Sequence, residues 1–92
     1  MIQSFKCADT HVLFTARKSR LWSDTRTVAL RKLDQLEAAA NLDDLRVPPG
    51  NRLESLKGRR QGQHSIRIND QWRICFVWEA DGPHNVEIVD YH

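Results

Sequence analysis

Gln71-Trp72-Arg73-Ile74-Cys75-Phe76-Val77-Trp78-Glu79 is the stretch that decides the fold. Read at the period of two that an extended chain imposes, Trp72, Ile74, Phe76 and Trp78 fall on one side. Arg73, Cys75 and Val77 fall on the other. A strand with one wholly apolar side has to bury that side against another layer, so the pattern predicts a sheet with helices on one face. Trp72, Phe76 and Trp78 at this spacing are core residues rather than platforms for stacking bases.

The neighbouring segments extend the same sheet. Gln63 to Asn69 places Ile66 and Ile68 on one face and Ser65, Arg67 and Asn69 on the other, and Asn69-Asp70 is a tight-turn signal. Arg67 and Arg73 are therefore expected to look outward from the same side. Arg52 to Leu56 and His84 to Val89 complete an antiparallel meander, with Ala80-Asp81-Gly82-Pro83 as a second turn. Upstream, the alternation of Ile2 and Ser4 against Phe5 predicts a short first strand over 2–6. Asp9 or Thr10 is placed to cap a brief helix through Phe14. Ser23 is expected to cap a longer helix to about Ala40, with Ala29, Leu33, Leu36 and Ala40 as its apolar stripe. Pro48-Pro49-Gly50 cannot continue a helix and divides the helical half from the strand half. Strand, two helices, then strands describes an α+β fold, an N-terminal strand and two helices packed on an antiparallel sheet.

Ninety-two residues are expected to form one domain, 1–92, around one modest core. A composition 40% hydrophobic and 28% charged belongs to a soluble globular chain and excludes a disordered or membrane class. The start, Met1-Ile2-Gln3-Ser4-Phe5-Lys6, reads as a strand and lacks the basic and apolar regions of a secretory signal. Cys7 and Cys75 have no ligand-like spacing, which together with the missing signal predicts reduced thiols in a cytoplasmic protein. Net charge is +2, but its distribution is uneven. Arg52, Lys57, Arg59, Arg60, Arg67 and Arg73 face two acids, Glu54 and Asp70, within 51–73; residues 34–45 carry Asp34, Glu37, Asp43 and Asp44 and no cation. Such polarity gives one face a potential that attracts phosphate, although a solvated charged face with no ligand has the same pattern.

The chain ends Asp90-Tyr91-His92, an acid, a phenol ring and an imidazole, directly after the apolar run Val86 to Val89. With the cations upstream these are the parts needed to bind and cleave an RNA phosphodiester without a metal. His11, His64 and His84 lack ligand spacing and read as surface or structural residues. Arg59 and Arg60 lie in a loop flanked by Gly58 and Gly62, suited to gripping an RNA backbone.

Asn51 to Gly58, Gly62 to Ile68, Asn69-Asp70-Gln71-Trp72-Arg73-Ile74-Cys75-Phe76 and the terminal Glu87 to His92 resemble HigB-type toxins (also called plasmid maintenance killer proteins) of the RelE/ParE superfamily. The resemblance covers essentially the whole chain. It implies a RelE-like, microbial-RNase-like fold and a ribosome-dependent mRNA endonuclease, the toxin of a type II toxin–antitoxin module. It also implies a HigA-type helix-turn-helix antitoxin as partner, the 70S ribosome and mRNA as targets, indirect operator DNA contact through the antitoxin, no membrane and no cofactor. Lys57 matches the family's active-site lysine, Arg73 its phosphate-binding arginine, and Asp90, Tyr91 and His92 its catalytic tail. Glu54 stands where some members have a histidine and is a further catalytic candidate. Arg52, Arg59, Arg60 and Arg67 are the candidate RNA-binding cations.

Metal-free cleavage requires a base for a 2′-hydroxyl, cations for the phosphorane and a proton for the leaving 5′-oxygen. His92 suits the base, because imidazole titrates at about 6.5, near working pH. Lys57 and Arg73 suit the phosphate charge, and Tyr91 offers a ring for a splayed base. Two other classes stay open at this point. ParE-type relatives share the fold but inhibit DNA gyrase without catalysis, and a third reading is an RNA-binding module with no activity.

Overall fold

The computed structural model describes residues 1–90; Tyr91 and His92 lie outside the described residues. Among the described residues the sheet has four antiparallel strands in sequence order. They are β1 (Glu54–Ser55), β2 (His64–Arg67), β3 (Trp72–Glu79) and β4 (Gly82–Asp90). The helices are α1 (Ala8–Ala16) and α2 (Arg26–Ala38). Two 3-10 turns, Leu42–Arg46 and Pro49–Asn51, carry the chain from α2 to the sheet.

The period-two reading of β3 holds at the centre of the fold. Ile74 and Phe76 are fully buried, and Ile66, Ile74 and Ile88 are register partners across three strands. That row packs with Leu13 of α1 and Ala29, Leu33 and Leu36 of α2. Trp72 and Trp78, nearer the strand ends, are partly buried against the same core, and Trp22 meets Trp72 edge-on at 6.0 Å.

Several boundaries differ from the expectations for local reasons. The 2–6 segment pairs with β4 through one parallel bridge, Phe5 to Val86, rather than as a full strand. Thr10 does not cap α1. It is buried inside the helix, where its Oγ1 accepts the Ile88 N–H at 3.1 Å and ties α1 to β4. α2 starts after Thr25, not at Ser23. At its end the chain turns extended at Ala39, so Ala39 is buried and Ala40 exposed. The strand expected over Arg52 to Leu56 shrinks to Glu54–Ser55, because Arg52 leaves the preceding turn in the left-handed region at φ 47°.

The second face of the sheet is not open. Arg73, expected to look outward, is 9% exposed, and Ser65 and Cys75 beside it are fully buried. Polar side chains cover them, and these make up the candidate site.

Candidate functional site

The register places Glu54, Ser65, Cys75 and Glu87 in one row across all four strands, and Arg67, Arg73 and Val89 in the next. Directly opposed residues share a face, so carboxylates stand at both ends of the first row and arginines lead the second. Cys75 sits beneath this charged layer, and burial pushes its thiol pKa up. Burial of that kind marks a structural thiol rather than a reactive one.

Arg73 is held on several sides. Its Nε donates to Ser65 Oγ at 2.8 Å, and one terminal nitrogen donates to the Arg52 carbonyl at 2.7 Å. The same nitrogen lies 3.5 Å from Glu54 Oε1. Nearly all of the arginine is enclosed while Glu54 is 46% exposed, so the carboxylate is the solvent-facing edge of the pair. A guanidinium fixed this way presents its planar fork in a set direction, which suits phosphate recognition.

Arg52, Arg67 and Arg73 line one cleft of about 340 Å³ together with Asn69 and Asp70. The turn between β2 and β3 shapes its rim. Asn69 Oδ1 accepts the N–H groups of Gln71 and Trp72, both at 2.8 Å, and Arg67 pairs with the exposed Asp70. Asp90 ends β4 opposite Trp72, next to the register partner of Arg73, and accepts from Gln71 Nε2 at 3.1 Å.

The remaining cations lie in the β1–β2 connection. Lys57 is exposed and leads into the 3-10 turn Gly58–Arg60, with Gly58 at φ 65° and Gly62 at φ 92°. Those positive values explain why glycine stands at both ends of this loop. Arg59 is exposed, but Arg60 folds back, donating to Glu87 Oε1 at 2.8 Å and Gln63 Oε1 at 3.1 Å. Arg60 therefore braces the loop against β4 as well as adding charge. Tyr91 and His92, assigned to the site from sequence, lie outside the described residues.

The fold thus groups Glu54, Arg52, Arg67 and Arg73, with Asp90 at the adjoining strand end. Lys57 and Arg59 occupy a separate loop beyond β1. Two contributors went unread in the sequence, Ser65 and Glu87. Alternation does put Ser65 on the Arg73 side of β2, and that was the available signal. Glu87 likewise alternates with the buried Val86 and Ile88, but its pairing with Arg60 is a contact across 27 positions of sequence.

A family model described as a RelE-like toxin of the type II toxin–antitoxin system HigB matches residues 4–92. Toxin HigB-1 of Vibrio cholerae serotype O1 is 48% identical over 60 residues, which are 65% of this chain and 62% of that protein. The match thus spans under two thirds of that relative's length. An uncharacterized protein of Haemophilus influenzae is 35% identical over 82 residues, 89% of this chain and 74% of the other. Among solved structures, YafQ from E. coli superposes with a TM-score of 0.62 at 12% identity, covering 98% of this chain and 91% of that one. A point mutant of YafQ gives 0.61 at 13% identity with the same coverage. At such identities the likeness is one of fold.

Proposed function

Because this chain belongs to the HigB-like toxin family, whose model matches residues 4–92, we propose that it is the toxin of a type II module and an endoribonuclease. Its target on this reading is mRNA in the ribosomal A site, and its partner is a HigA-type antitoxin. The toxin acts in the cytoplasm as one catalytic domain. The observation that carries the reading is the fixed Arg73 guanidinium, which lines a cleft with Arg52 and Arg67 and has the Glu54 carboxylate of the neighbouring cleft 3.5 Å away. A gyrase inhibitor acting by protein contact alone has no need of such a pair.

Cleavage proceeds by attack of a 2′-oxygen on its own phosphate. The bond to the 5′-oxygen breaks and a 2′,3′-cyclic phosphate forms. Arg73 and Lys57 neutralise the charge that builds on the phosphate oxygens, and Arg73 needs no reorientation because Ser65 and Arg52 already hold it. Arg52, Arg59, Arg60 and Arg67 attract the RNA backbone, so binding falls steeply with added salt. His92 takes the 2′-hydroxyl proton, Asp90 orients it, Tyr91 stacks on a splayed base and Glu54 shares the proton transfers. These side chains supply acid, base and charge, so the reaction runs without a metal.

The test is cleavage of mRNA, free and in programmed 70S ribosomes, mapped by primer extension. The expected result is cutting at A-site codons, only with ribosomes and lost in His92→Ala. End-group analysis should then find a 5′-hydroxyl; a 5′-phosphate would rule out 2′-oxygen attack. Absence of cutting in both settings would move the function to gyrase inhibition or RNA binding.

A further inference from the structure

Lys32 and Asn51 take no part in the cleft described above, yet both are buried. Lys32, on α2, is 8% exposed, and its ammonium donates to Asn51 Oδ1. Asn51 is fully enclosed. Its Nδ2 donates to the Leu45 carbonyl and to Gln35 Oε1, both at 3.0 Å, and to the Val47 carbonyl at 3.4 Å. Both ends of the amide are engaged, so its orientation is fixed. Enclosing an ammonium is unfavourable: burial pushes the Lys32 pKa down, and Arg31 and Arg67 add to the effect. A packed apolar residue would avoid that penalty, so the lysine points to a task other than filling space.

The next residue along the chain supplies the task. Asn51 closes the turn Pro49–Asn51, and Arg52 follows at φ 47°, ψ 54°, with its N–H bonded to the Pro49 carbonyl at 3.1 Å. Side-chain-bearing residues enter this left-handed region unfavourably, so the surrounding turn has to impose it. It is this peptide whose carbonyl receives the Arg73 guanidinium at 2.7 Å.

We propose that Lys32 and Asn51 are positioning residues for Arg73. The ammonium orients the Asn51 amide, the amide fixes the turn, and the turn holds the Arg52 carbonyl against the guanidinium. Glu54 shows why that carbonyl matters. Its carboxylate stands 3.5 Å from the same nitrogen and is the stronger acceptor. With the Arg52 carbonyl withdrawn, Arg73 closes onto Glu54, and both groups turn away from a bound phosphate. The effect on cleavage rests on the endoribonuclease reading, whereas the effect on the guanidinium does not.

The test uses the full chain free of RNA. Solvent exchange of the Arg73 terminal N–H that donates to the Arg52 carbonyl is followed by 15N NMR in wild type, Lys32→Met and Lys32→Gln. Exchange of the Ile66 and Ile74 amides serves as the control for core opening. In Lys32→Met this terminal N–H, released towards the solvent-facing Glu54, should exchange about tenfold faster while the control amides keep their rates. Lys32→Gln, which keeps a donor, should restore part of the protection, and it carries the test if Lys32→Met does not fold. Under the ribosome assay kcat should fall more than KM. Unchanged Arg73 exchange, or exchange that rises only in step with the control amides, would overturn the proposal and leave the pair a packing feature. If wild type cuts no RNA, the nuclease reading fails, and the NMR comparison still decides this one.

Discussion

Glu54 Oε1 lies 3.5 Å from a terminal nitrogen of Arg73, and that nitrogen already donates to the Arg52 carbonyl at 2.7 Å. The backbone thus holds the cation while the half-exposed carboxylate stays beside it. This arrangement keeps a carboxylate and a guanidinium adjacent at 3.5 Å, while the shorter contact of that nitrogen goes to the backbone.

Glu54→Gln preserves shape and removes the charged, proton-accepting carboxylate. If Glu54 shares the proton transfers, kcat for ribosome-dependent cleavage should fall by about a hundredfold, with mRNA binding changed little. An unaltered rate would reduce Glu54 to a solvent-facing partner of Arg73.

Arg73→Lys keeps the charge but loses the fork. A lysine cannot satisfy Ser65 Oγ and the Arg52 carbonyl in the same plane, so the cation should wander. The expected loss in kcat is about 10²- to 10³-fold, the range for one preset electrostatic donor. Single-turnover cleavage at saturating ribosomes would measure it. A near-normal rate would mean that charge alone suffices.

Thr10→Val replaces the buried hydroxyl that accepts the Ile88 N–H with a methyl group of similar size. The orphaned amide should cost about 1–3 kcal/mol in urea unfolding. Because Ile88 lies two residues before Asp90 on β4, exchange at the C-terminal end of this strand should rise as well. A loss of stability without faster exchange there would separate packing from strand anchoring.

Burial lowers the pKa of His64, which stacks on Phe76 with ring centroids 6.1 Å apart and meets Ser55 Oγ at 3.2 Å. Above the ordinary value of 6.5 the ring is neutral in both folded and unfolded chains. As pH falls below that value the unfolded chain takes up the proton first, so stability is lost through the depressed folded pKa. Urea unfolding at about pH 7.5 and about pH 5.5 should show a drop in wild type that shrinks in His64→Gln. An equal drop in both proteins would assign the acid sensitivity to other groups.

Much of the site was legible from residue type and period. Alternation alone set Ile74 and Phe76 inward and Arg73 on the other face. It could not tell that this other face is also covered, because the cover comes from Arg52 in the turn before β1, Glu54 on the edge strand β1 and Arg60 in the β1–β2 loop. Local rules misplaced the helix caps for a similar reason. Thr10 has the chemistry of a cap, but tertiary packing engaged its hydroxyl with β4 instead. The resemblance in the strings around Lys57, Arg73 and the last three residues pointed to the family, which the match over residues 4–92 establishes.

The sequence by itself determined the α+β class, the two helices, the strand meander and the family, since these follow from apolar periodicity, turn residues and motif strings that are local in the chain. Tertiary structure decided which polar groups meet: Arg73 with Ser65 and the Arg52 carbonyl, Arg60 with Glu87, and Lys32 with Asn51. Each of those contacts joins positions at least 8 apart, across strands, between strand and turn, or between helix and turn. Strand register and the left-handed Arg52 bring them together, and neither is written in the periodicity of one segment.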